Sequence, residues 1–141
     1  MCAMRSRGGN AGAPTPVLAT MGFFSRDPKR DELRRIPLFS TLPRWRLDLL
    51  TRTADVIEVP AGTELIREGE SGLEFFAISE GEVEVSQGGR TIATEQAGDV
   101  FGEIALLHRI PRTATVRTTT SSRLFVLDAR AFRSVLADSF T

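Results

Sequence analysis

Between Asp55 and Leu127 the apolar residues recur at every second position in short runs, and a glycine- or proline-bearing turn interrupts them about every 8–12 residues. A helix needs a period near 3.6, so this stretch reads mainly as a succession of short strands. The cleanest run is Glu82-Val83-Glu84-Val85, with valine inward and glutamate on a solvated face. The other strands are expected at Val56–Val59, Glu64–Arg67, Glu74–Ser79, Thr91–Thr94, Val100–Phe101, Ala114–Thr118 and Arg123–Leu127. Turns fall at Pro60-Ala61-Gly62, Glu68–Gly72, Glu80-Gly81, Gly88-Gly89 and Gly98. No helical segment between strands suggests a βαβ unit. The fold class is therefore mainly β: an eight-stranded antiparallel β-roll or jelly roll with flanking short α-helices.

The flanks carry the other period. Asp31 to Phe39 reads as a short helix broken before Pro37. Pro43 suits the first turn of a second helix, Arg44–Thr53, with Trp45, Leu49 and Leu50 on one face and Leu47 beside them. Trp45 is expected to pack in the core or to dock the N-terminal leader. Asp128 caps a last helix, Ala129–Ala137, whose Phe132, Val135 and Leu136 share a face. Residues 1–25, rich in Gly, Ala, Pro and Ser/Thr, read as a disordered leader, with Met4 and Met21 as alternative starts. Residues 26–141 then form one domain: helices over 30–53, the roll over 55–127 and the last helix over 129–138.

Charge removes several function classes. Eighteen basic residues balance 18 acidic ones, but residues 1–30 hold five bases and one acid, which leaves 13 bases against 17 acids in the remainder. An acidic body is a poor general binder of nucleic acid, and no helix-turn-helix pattern follows the roll. No apolar run reaches the ~20 residues of a membrane helix. The single cysteine, Cys2, excludes an internal disulfide and suits a reducing, cytoplasmic setting. The single histidine, His108, cannot build a two- or three-histidine metal site, nor a nucleophile-histidine-acid set without serving every role, so no enzyme is expected. His108 itself is expected at the exposed end of a short helix.

The segment Phe101–Val116, Phe-Gly-Glu-Ile-Ala-Leu-Leu-His-Arg-Ile-Pro-Arg-Thr-Ala-Thr-Val, carries the chemistry. Gly102 lets backbone approach a ligand closely. A short helix from Glu103 leaves the N–H groups near Ile104 and Ala105 without helical partners, and its dipole favours an anion. Glu103 would sit beside the same space and could accept a hydrogen bond from a sugar hydroxyl. Pro111 ends the helix. Arg112, expected to begin the next strand, offers a planar fork to a phosphate. Thr113 adds a hydroxyl, and Ala114 is small enough for close approach. Phe76, Ile78, Val85 and Val116 are candidates for the apolar wall under a base.

With these residues in view, the segment resembles the phosphate-binding cassette of the cyclic nucleotide-binding domain family, which includes kinase regulatory subunits, gated channels and catabolite-activator-type regulators. The similarity spans roughly residues 36–138 and includes the turn glycines Gly62, Gly69, Gly72, Gly81 and Gly98. The resemblance implies that Arg112 holds a cyclic phosphate and that Glu103 holds the ribose 2′-hydroxyl. The backbone of Gly102, Ile104 and Ala105 would complete the cradle, with Thr113 and Ala114 adjoining. It implies a non-catalytic sensor of cAMP, with cGMP as the alternative, and no cofactor. Such a sensor signals through its flanking helices to an effector protein or a second copy of itself. Two departures stand out. Family members often carry an aspartate just after the glycine matching Gly72, and here Leu73 stands there, which implies a less firmly held Arg112. A second C-terminal helix usually lids the base; here the lid is expected to be missing, very short, or supplied by another chain or by the leader. The competing reading is the same roll kept as an interaction module that binds no ligand.

Overall fold

Helices gather at one side of the strands. The computed structural model describes residues 27–131 and 133, and the leader lies outside them. Asp27 caps α1 (Pro28–Arg34), accepting the backbone N–H groups of Lys29 at 3.0 Å and Arg30 at 3.3 Å, with proline in the first turn. The helix thus begins three residues before the expected Asp31, because the cap precedes the apolar residues. Pro37 does more than stop it: it opens α2 (Pro37–Ser40), and α3 (Arg44–Thr53) follows.

Trp45 does not pack in the core; the other expected role, docking the leader, lies outside the described residues. It is 62% exposed, with the Arg46 guanidinium 5.2 Å from its ring centre, while Leu47, Leu50 and Thr51 are buried. At 100° per residue, Leu47 and Leu50 define the inner face and Trp45 points far from both. Grouping Trp45 with Leu49 had rotated the face away from Leu47.

Eight strands follow: β1 (Asp55–Val59), β2 (Glu64–Ile66), β3 (Glu74–Glu80), β4 (Glu82–Gln87), β5 (Arg90–Gln96), β6 (Val100–Phe101), β7 (Thr115–Thr118) and β8 (Ser122–Asp128). They form two four-stranded sheets in the orders β1-β8-β3-β6 and β2-β7-β4-β5, every pairing antiparallel. The expected roll is the observed one. β7 starts at Thr115, so Arg112 lies in the loop before it rather than in a strand.

β3 explains how the layers hold together. Phe75, Phe76, Ala77 and Ile78 are all buried, so the usual alternation is lost and both strand faces are apolar. Phe75 and Ala77 join Phe125 and Leu127 against Leu33, Phe39, Leu47 and Leu50 of the helices. Phe76 and Ile78 face inward with Leu124, Val83 and Val116 to fill the roll. Each such side chain contributes about 1.5–3 kcal/mol on burial. An ion cluster adds direction: Arg123 of β8 reaches Glu32 of α1 through two hydrogen bonds, 2.7 and 3.0 Å, and Glu58 of β1 at 2.7 Å. The Ser79 hydroxyl also donates to Glu32.

Between β6 and β7 the chain forms α4 (Glu103–His108), and after β8 it enters α5 (Ala129–Ala131), capped where Asp128 accepts the Ala131 N–H at 2.8 Å. The expected continuation of that helix, with Phe132, Val135 and Leu136, lies outside the described side chains.

Candidate functional site

Gly102 sets the geometry where β6 meets α4. Its φ is +92°, in the left-handed region, and a Cβ there would come within 3.1 Å of Ile66 Cδ1, 3.2 Å of an Arg112 nitrogen and 3.3 Å of the Glu74 carbonyl. Only glycine combines that conformation with that proximity. The turn starts α4, whose first N–H groups have no helical partners and no side-chain cap.

Arg112 enters from the other side. The loop 69–74 grips its backbone: Gly69 N–H donates to the Arg112 carbonyl at 2.8 Å, and Arg112 N–H donates to the Glu70 carbonyl at 2.9 Å. Its guanidinium donates to the backbone carbonyls of Gly102 at 3.0 Å and Glu74 at 2.5 Å. Those carbonyls do the anchoring that the missing aspartate beside Gly72 would have done, and Leu73 is simply exposed. Gly72 lies directly under the guanidinium, where a Cβ would sit 2.0 Å from Arg112 Nε. Arg112 is 8% exposed, and burial pulls its pKa below the ordinary arginine value, partly offset by the Glu74 carboxylate. Among the described residues no carboxylate lies within ion-pair distance of it, so the hydrogen bonds that hold this buried cation come from neutral carbonyls, with Glu74 acting only at longer range.

These pieces enclose a cavity of about 140 Å³. All seven residues picked out from the sequence line it: Gly102, Glu103, Ile104, Ala105, Arg112, Thr113 and Ala114. Of the expected apolar wall, Val85 and Val116 line it, joined by Ile66 and Val100. Phe76 and Ile78 do not; they pack inside the roll with Val83, Phe101, Val116 and Leu124. Phe76 supports the cavity floor instead, stacked on Phe101 with ring centres 5.1 Å apart. His108 is exposed and outside the lining, as expected.

Sequence reasoning missed two residues. Gly72 was read only as a turn glycine, and nothing short of the folded loop reveals the guanidinium above it. Glu95 of β5 lines the cavity and carries a carboxyl pushed above its ordinary pKa by burial, then by Asp99 and Glu103. Extending the alternation of β5 past Thr94 would have found it.

Comparison with known proteins places this geometry. The family model described as the cyclic nucleotide-binding domain matches residues 56–139. The chain belongs to the cyclic nucleotide-binding domain family. Among curated relatives, a cAMP-dependent protein kinase regulatory subunit of Schizosaccharomyces pombe is 32% identical over 76% of this chain and 26% of its own length. A cGMP-dependent protein kinase of Caenorhabditis briggsae is 34% identical over 75% of this chain and 14% of its own length. This cyclic nucleotide-binding domain thus spans under a third of those two relatives. Among solved structures, the regulatory domain of Toxoplasma gondii PKA with cAMP is 30% identical, with a TM-score of 0.74 over 82% of this chain and 48% of that one. The regulatory subunit of a cAMP-independent protein kinase A from Trypanosoma brucei also reaches 0.74, at 26% identity over 79% of this chain and 44% of that one. The two neighbours share the fold while their descriptions differ on cAMP, so the side chains of the cavity carry the functional argument. No helix among the described residues is long and apolar enough to cross a membrane.

Proposed function

We propose that this domain is a non-catalytic, cytoplasmic sensor that binds a cyclic nucleotide, cAMP first and cGMP as the alternative, with no cofactor. One observation carries the reading: Arg112 is buried at the cavity with carbonyls around it and, among the described residues, no carboxylate within ion-pair distance. A buried cation without a counter-charge is costly, and a phosphodiester anion offsets that cost. Arg112 takes the cyclic phosphate. The backbone N–H groups at Ile104 and Ala105 take its remaining oxygens, and Gly102 lets them come close. Glu103 accepts from the ribose 2′-hydroxyl. Thr113 and Ala114 adjoin the phosphate, and Val85 and Val116 lie under the base.

Binding would draw α4 toward the phosphate and shift the segment after β8, which packs on the same layer. An effector protein or a second copy of the chain would read that shift, its size set by the ligand's differential affinity for the two states. The second reading, a roll kept as a scaffold without a ligand, is favoured by the likeness to the Trypanosoma brucei protein described as cAMP-independent. Titration calorimetry with cAMP and cGMP separates the two. Saturable heat and a raised melting temperature are expected; no heat and no thermal shift at about millimolar ligand, a level that would register even a weak site, would leave only the scaffold.

A further inference from the structure

One polar side chain of the cavity has no part in the recognition described above. Glu95 stands in β5 directly opposite Val83 of β4, and Val83 is fully buried inside the roll. Cross-strand partners share a face, so Glu95 is turned inward. The strand has its polarity reversed. Its apolar residue, Ile92, is the extra residue of a bulge between the Val85–Ala93 and Ser86–Thr91 pairs and is 54% exposed, whereas its acid lines the cavity. An inward acid on a strand that exposes its isoleucine breaks the local pattern, and such breaks belong at functional sites.

We propose that Glu95 is a further specificity residue of this cavity, one that admits a cyclic phosphodiester with a proton on its own carboxyl and resists it when ionised. The proposal rests on the cyclic nucleotide reading and adds to it a residue and a proton.

The charges around Glu95 fix the sign. Glu103 of α4 and Asp99 of the β5–β6 turn face it, the latter held by the Gln96 N–H at 2.9 Å. Its partner on β4 is Val83, and Arg112 is the one cation among the residues that line the cavity. Glu95, Glu103 and Arg112 line the same cavity, so a ligand held there lies among all three. With all three acids ionised, the site holds more negative than positive charge before any ligand arrives. A phosphodiester adds one more negative charge and raises the proton affinity of the acid that is already hardest to ionise. Ligand binding therefore takes up a proton, and by linkage affinity falls as pH rises through the titration of Glu95. Once protonated, the carboxyl both donates and accepts, which suits the mixed edge of a nucleoside.

The test is calorimetry of the whole chain with cAMP and cGMP at several values between about pH 5 and 7.5, each in two buffers of different ionisation enthalpy. Proton uptake is expected, with an affinity about fivefold weaker at the top of the range than at the bottom, the lower end of ordinary coupling between sites. In Glu95→Gln the uptake and the pH slope should vanish, and affinity at neutral pH should rise. A carboxyl-carbon NMR titration of the unsubstituted protein follows Glu95 itself, so the idea does not depend on the variant folding. A Glu95 resonance that titrates alike in the free and saturated protein overturns the proposal. So does binding without buffer dependence. If neither nucleotide binds at any pH, the cyclic nucleotide reading falls and takes this proposal with it.

Discussion

Arg112 and Arg123 are both largely withdrawn from water, and the chain surrounds them in opposite ways. Arg123 meets two carboxylates, Glu32 and Glu58, and hydrogen bonding to Glu32 holds its pKa above the ordinary value despite burial. Arg112 meets two backbone carbonyls, and burial holds its pKa below. Arg123 joins α1 to the roll and has its counter-charges within the fold. Arg112 stands at a cavity with no carboxylate in ion-pair contact among the described residues. A structural cation is neutralised by its own chain; a recognition cation keeps its need for an anion, which a ligand then meets.

The sharpest way to break this contrast is to remove each charge in turn. Arg112→Ala should weaken cyclic nucleotide binding by about 2–5 kcal/mol, the range for loss of a buried charge partner, with little change in unfolding midpoint. Equal ligand affinity in the variant would place the anion elsewhere and end the comparison. Glu32→Gln should do the reverse. It should lower stability by about 2 kcal/mol, since both partners of the ion pair are only partly exposed, and leave ligand affinity near wild type.

The Glu32 effect also has a pH signature. Burial pushes the Glu32 carboxyl up, but hydrogen bonds from Arg123 and Ser79 and the charge of Arg123 outweigh it, so its pKa lies below the ordinary value. A carboxyl depressed in the folded state stabilises above its unfolded pKa, and that stability fades as pH falls below about 4. Urea titrations across that range should show the wild type losing its advantage over Glu32→Gln. A constant gap between the two would show that the pair contributes no charge-dependent stability.

The same contrast explains what was legible in the residues. The eight strands, the Gly88-Gly89 hairpin and the placement of Gly102, Glu103 and Arg112 around one space follow from local rules: alternation, turn chemistry, a glycine before a short helix and a proline after it. What escaped depends on distant pairing. Trp45 was misplaced because the inner face of α3 is chosen by what β3 and β8 present to it. The Glu32–Arg123 link spans 91 positions and leaves no local mark. Alternation says which face Phe76 takes but not that its neighbour Phe101 reaches the cavity in its place.

Gly72 offers the next test, smaller because it moves the guanidinium rather than deleting it. A Cβ at position 72 would lie 2.0 Å from Arg112 Nε and 2.3 Å from its Cζ, so Gly72→Ala must push the side chain off its two carbonyls. Affinity for the cyclic nucleotide should fall by about 2 kcal/mol, in the range for overpacking a filled site. Stability should hold, since the displaced cation gains water. Lost affinity with lost stability would mean that the loop 69–74, not the guanidinium, had been damaged.

Glu103 sets the lower end of the scale. In the proposed complex it contributes one charged hydrogen bond to a sugar hydroxyl, so Glu103→Ala should cost about 1.5 kcal/mol against cAMP, less than the loss at Arg112. The discriminating measurement is a double-mutant style comparison with 2′-deoxy-cAMP, which lacks the hydroxyl. Wild type should lose affinity for the deoxy ligand, whereas Glu103→Ala should bind the two ligands alike, because each change removes the same bond. Additive losses would mean that Glu103 acts on the ligand through something other than the ribose. Removing this acid also removes one of the two carboxylates that raise the pKa of Glu95. Part of the hydrogen-bond loss should therefore be recovered at a pH where Glu95 is ionised and not at one where it is protonated. A loss that is the same at both pH values would separate the two glutamates and confine Glu103 to its sugar contact.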